Sequence, residues 1–90
     1  MDEYELREHL KRYDANGKYL LSVECEHVHP TVRLPSRHVA LLLCEIAVKS
    51  GVARAIQLFY YPDSDTEAVL YDSTVPGPKT LNADRPVPAP

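Results

Sequence analysis

The chain has 90 residues, enough for one domain, which at this size buries only about 60–65% of its unfolded surface. Hydrophobic residues make up 44% and charged residues 26%, the balance of a globular domain and not of a disordered chain. Net charge is −3 and no basic cluster exceeds Lys11-Arg12, so the positive face that phosphate binding requires is missing and nucleic acid is not an expected partner.

The opening, MDEYELREHL, is acidic and does not read as a secretory signal. A location in the cytoplasm is expected from this. Asp2 followed by Glu5 is a capping-box pattern, and Leu6, Leu10 and Tyr13 recur at helical spacing. These predict a helix from Asp2 to about Asp14, with Gly17 ending it in a left-handed conformation.

From Lys18 to about His29 apolar and polar residues alternate. Tyr19, Leu21, Val23 and Cys25 share one face of a half-buried strand, and Ser22, Glu24 and Glu26 share the other. Pro30 interrupts it, and Val32 and Leu34 extend an edge as far as Pro35.

The segment Leu34 to Gly51 is the strongest signal in the chain. Ser36 suits an N-cap and Gly51 a C-cap, so a helix is predicted between them. It is apolar almost all round, with a narrow polar edge at His38, Glu45 and Lys49. Such a helix is normally buried on several sides. A chain this short must wrap it tightly or share it with another chain, and Leu42 is an expected contact in a homodimer. Its apolar run, Val39 to Val48, is too short to span a bilayer, so no membrane partner is expected.

Arg54 to Tyr61 is the second predicted strand and Glu67 to Asp72 the third. Pro62 to Asp65 supplies turn chemistry between them, with Pro62 suited to the first central position. The fold class is therefore α+β: a sheet of about three strands in the order β-α-β-β packed on one apolar helix, with the N-terminal helix beside it. The domain covers 1–74. Residues 75–90 hold five of the eight prolines and few large apolar groups, which predicts an extended, polyproline-like tail.

The sharpest chemical pattern is Cys25-x-His27-x-His29. On one strand these side chains would point the same way, and His38 at the start of the next helix would offer a fourth metal ligand. The bland reading is the better one: Leu21 and Val23 continue into Cys25 as core, and the histidines mark where the strand leaves it. Cys44 lies among leucines and isoleucine and reads as a packed thiol. There is no G-x-S-x-G, and glycine is too scarce for a phosphate-cradling loop. No cofactor is expected, and the chain reads as non-catalytic.

Phe59 and Tyr61 alternate with the core positions of the second strand and face away from the helix. Tyr71 on the hairpin partner is expected to join them. Aromatic groups on a surface mark protein interfaces. A small accessory or inhibitor protein, binding another protein or itself through Phe59, Tyr61, Tyr71 and Leu42, is the expected function. A metal-binding protein using Cys25, His27 and His29 is the rival.

Overall fold

The computed structural model describes residues 1–74, and the expectation of an extended tail over 75–90 lies outside the described residues. Six elements follow in order: α1 (Glu3–Lys11), β1 (Tyr19–Glu24), β2 (Thr31–Leu34), α2 (Arg37–Ser50), β3 (Ala55–Asp63) and β4 (Thr66–Asp72). The four strands form one antiparallel sheet in the order β2-β1-β3-β4.

The sheet has four strands where about three were expected, because the first predicted strand is a hairpin. Cys25 N–H donates to the Val28 carbonyl and Val23 N–H to the Pro30 carbonyl, so the chain reverses at Glu26-His27. Pro30 has no N–H to return the second bond of its pair, which ends the ladder there. Since β2 and β3 both run antiparallel to β1, they run parallel to each other with β1 between them. The helix α2 makes that crossover.

Both helix starts are capped as the local sequence dictates. Asp2 accepts from Glu5 N–H while the Glu5 carboxylate accepts from Asp2 N–H. Ser36 Oγ accepts from Val39 N–H. Gly51 closes α2 at φ 77°, in the left-handed region. Gly17 serves a different purpose from the one expected. Asn16, at φ 55°, makes the left-handed turn after α1. Gly17 instead passes so close to β2 that a Cβ there would collide with the Leu34 carbonyl.

One core fills the helix side of the sheet. Directly paired rows Val32–Leu21–Leu58–Tyr71 and Leu34–Tyr19–Tyr60–Ala68 cross all four strands. Leu6 and Leu10 of α1 and Ala40, Leu43, Cys44 and Ala47 of α2 pack onto them. The two alanines on α2 let its backbone approach the sheet. The helix is not fully wrapped: Leu42 is 47% and Val48 45% exposed.

Two compensating irregularities shape the β3–β4 hairpin. Leu70 is an extra residue between the Leu58–Tyr71 and Phe59–Val69 pairs, and β3 gains one between Tyr60 and Asp63. Pro62 falls in this second bulge, where its missing N–H is tolerated. The turn itself centres on Ser64 and Asp65, two residues beyond the expected placement, with Asp63 Oδ1 accepting from Asp65 N–H at 2.8 Å.

Candidate functional site

The outer sheet face carries the candidate site. Strand alternation places Leu20, Ser22, Gln57, Phe59 and Tyr61 there, opposite the core positions. Cross-strand pairing orders them into rows. One row is apolar at its centre: Arg33, Leu20, Phe59 and Val69, from β2, β1, β3 and β4 in turn. The next row is polar throughout: Thr31, Ser22, Gln57 and Asp72. On the other side of the apolar row stands Tyr61.

These side chains hold one another in place. The Phe59 and Tyr61 rings lie 6.2 Å apart, and the Arg33 guanidinium sits 5.8 Å from the Tyr61 ring centre. Tyr61 donates to the Glu67 carboxylate at 2.9 Å, and that bond is the main reason its hydroxyl pKa is raised. Gln57 Nε2 donates to Asp72 Oδ2 at 3.2 Å. Val69, at the far end of the apolar row, is 53% exposed. A cleft of about 610 Å³ opens at the Tyr61 end, lined by Lys18, Leu20, Arg33, Tyr61, Pro62 and Asp63 among others. Its size is that of a small-ligand or peptide site.

Of the four residues expected to bind a partner, only Phe59 and Tyr61 share this face. Tyr71 does not join them. It pairs with Leu58 and is 9% exposed in the core, because the Leu70 bulge lies between it and the outer-face position Val69. Burial raises its pKa. Leu42 lies on α2, in the opposite layer. The sequence reading missed Leu20, Val69 and Arg33. Alternation along the first strand put Leu20 on the outer side, but only the register shows that it adjoins Phe59.

The Cys25, His27, His29 and His38 set is not assembled. The tight reversal at Glu26-His27 sends each side chain a different way. Cys25 is buried in the core, and burial raises its thiol pKa. His27 reaches Glu3 of α1: its N–H donates to Glu3 Oε1 at 2.8 Å and its Nδ1 lies 2.6 Å from Oε2. His29 turns to the outer face, with Nε2 2.7 Å from Ser22 Oγ. His38 is on the first turn of α2, exposed. Among the described residues no three His, Cys, Asp or Glu side chains are grouped to hold a metal ion. Cys44 is fully buried, its pKa pushed up to about 12 by desolvation, and it has no thiolate character near neutrality.

The Ser22–His29 contact brings a hydroxyl and a base together, as nucleophilic catalysis requires. Among the described residues no carboxylate orients the other ring nitrogen, so the contact does not extend to a triad. The face combines an apolar strip, two aromatic rings, a guanidinium and a flanking cleft. Among the described residues, no helix is long and apolar enough to cross a membrane. The chain matches no family model, no curated protein and no solved structure.

Proposed function

We propose that this chain is a non-catalytic protein-binding module, an accessory or inhibitor protein, whose contact surface is the outer face of the sheet. One observation carries the reading. The row Arg33–Leu20–Phe59–Val69 runs across all four strands on the side away from both helices. An antiparallel sheet with one wet face usually carries polar residues there. A contiguous apolar strip with aromatic groups and an arginine, rimmed by polar side chains, has the composition of an interface centre.

Affinity capture with paired baits tests this. The native chain is compared with a Phe59→Ser, Val69→Ser double variant whose melting curve shows that it remains folded. A partner retained by the first and lost by the second supports the reading. A partner retained equally by both places binding elsewhere.

Self-association through α2 is a second reading, favoured by Leu42 and Val48. They are six residues apart, about 9 Å along the helix, and both are exposed beside the Glu45–Lys49 ion pair. A twofold contact needs only one such self-complementary patch. Light scattering at tens of micromolar is expected to give twice the chain mass of 10.2 kDa, and Leu42→Asp to return it to the monomer value. A native mass of one chain removes this reading and leaves the outer face untouched.

A further inference from the structure

Charge is unevenly shared across the outer face. The acids on and beside it belong to β3, β4 and their turn, and they already have donors. Tyr61 donates to the Glu67 carboxylate, Gln57 and Thr74 donate to Asp72, and Asp63 accepts from Asp65 N–H inside the hairpin turn. The cations stand on the β1–β2 side and are unmatched. Lys18 and Arg33 are both exposed, and among the described residues neither forms an ion pair.

The two cations meet at one place. Tyr61 N–H donates to the Lys18 carbonyl, which sets Lys18 beside Tyr61 across the strands. Arg33 pairs with Leu20 on the neighbouring strand, and its guanidinium lies 5.8 Å from the Tyr61 ring centre. Lys18, Leu20, Arg33 and Tyr61 all line the cleft of about 610 Å³. A guanidinium held over a ring keeps its in-plane N–H donors free for a carboxylate. The cleft thus carries two positive charges in its wall, and the apolar strip starts at its edge with Leu20 and Phe59.

We propose that the outer face takes an acidic partner segment: an extended stretch of another protein that seats an apolar side chain on Leu20 and Phe59 and an Asp or Glu carboxylate between Arg33 and Lys18. The inference rests on the reading of this face as a protein-binding surface and names the chemistry of its partner.

Spacing supports the pair of anchors. Along β1 the Leu20 row and Lys18 are two residues apart, about 7 Å. An extended segment presents every second side chain on one side at that same interval. Charge supports a carboxylate over a polyanion. A nucleic acid needs a run of cations, and the net charge of −3 and the nearby acids repel it. One carboxylate is matched by Arg33 and Lys18, and exclusion of water beside the apolar strip makes that contact stronger than in open solvent.

Selection from a phage library of random peptides on the immobilised full chain tests this. Selected peptides are expected to carry Asp or Glu two residues from a large apolar side chain. In fluorescence anisotropy, Arg33→Gln and Lys18→Gln are each expected to weaken such a peptide about tenfold, and added salt to weaken it on the native chain. The Phe59→Ser, Val69→Ser variant is expected to lose it. Arg33→Glu is expected to recover binding to a peptide whose acid is replaced by lysine, which a folding defect would not do. Selection of peptides without the acid, or binding indifferent to both cations, overturns the proposal. If such peptides still need Phe59 and Val69, the binding face stands and only its acidic partner is lost. Peptides indifferent to the double variant as well place recognition elsewhere and remove both readings. A selection that enriches no peptide also overturns the acidic segment and leaves the face to the capture experiment.

Discussion

Glu3 shows how much one side chain can join. It is the first residue of α1, yet its carboxylate accepts from both nitrogen donors of His27 at the tip of the β1–β2 hairpin, 24 residues on. The bond from the His27 backbone N–H is the main cause of its lowered pKa, and the separate bond between the Glu3 carboxylate and the His27 ring is the main cause of the raised His27 pKa. For His27, the stabilisation is complete below the ordinary value of 6.5 and is lost as pH rises through the raised one. For Glu3, it is complete above the ordinary value of 4.5 and is lost as pH falls through the lowered one. The pair therefore stabilises most between those two pH values. Thermal melts of the native chain and Glu3→Gln should differ most inside that window, converge as pH falls below it, and narrow without converging above it, where the backbone bond to Glu3 remains. A constant difference would mean the pair's ionisation contributes nothing. The two glycines make a second comparison. Gly17→Ala forces a Cβ into backbone of β2, with Pro35 Cα 2.7 Å away, and is expected to cost about 3 kcal/mol. Gly51→Ala meets nothing within 4 Å and bears only the left-handed backbone penalty, about 1–2 kcal/mol. Denaturant melts that rank them in the other order would contradict the close approach of Gly17 to Leu34.

At the scale of elements, α2 is divided sharply between neighbours in sequence. Leu43 is fully buried against the sheet, and Leu42 beside it faces outward. Leu43→Ala should cost about 2–5 kcal/mol, through lost burial and the cavity left behind. Leu42→Ala should change stability by less than about 0.5 kcal/mol in the monomer. Equal effects in chemical denaturation would mean that the helix is rotated from this placement, or that Leu42 is covered by a second chain. The edge strands are protected in different ways. At β2, Arg33 N–H donates to Asp14 Oδ1 and its carbonyl accepts from Ala15 N–H, so the segment after α1 covers that edge. At β4 the Leu70 bulge interrupts the ladder, with Glu67 and Asp72 on either side. Bulges and edge charges both discourage strand addition.

For the molecule as a whole, both helices lie on one side of a four-stranded sheet, and the other side must meet solvent, the tail or a partner. Truncation after Thr74 reports which of these applies. If the tail lies across Phe59 and Val69, removing it uncovers the equivalent of part of one large apolar side chain, about 1 kcal/mol. For a domain of this size that lowers Tm by about 4–8 °C. Binding of an environment-sensitive dye to the exposed strip should rise with it. An unchanged Tm and unchanged dye binding would show that the tail does not contribute to this face.

Local signals were enough for several features of this chain. The capping box at Asp2 and Glu5, the N-cap at Ser36 and the C-cap at Gly51 follow from residues within one helical turn, so the two helices were legible. Alternation along the strand assigned Leu21, Val23, Ile56 and Leu58 to the core and turned Phe59 and Tyr61 away from it. Pairing between distant residues was not legible. The hairpin at Glu26-His27 lacks an Asn-Gly or Asp-Gly signal, and neither central residue has a positive φ, so the first strand read as one long element. That reversal is also what dispersed Cys25, His27 and His29, whose spacing had promised a shared face. The Leu70 bulge moved Tyr71 into the core, an offset of one residue that alternation cannot foresee. Sequence determined which residues were apolar and which segments coiled or extended, because those depend on neighbours along the chain. Tertiary structure alone decided that Arg33, Leu20, Phe59 and Val69 form one row, because register is set between strands and not within them.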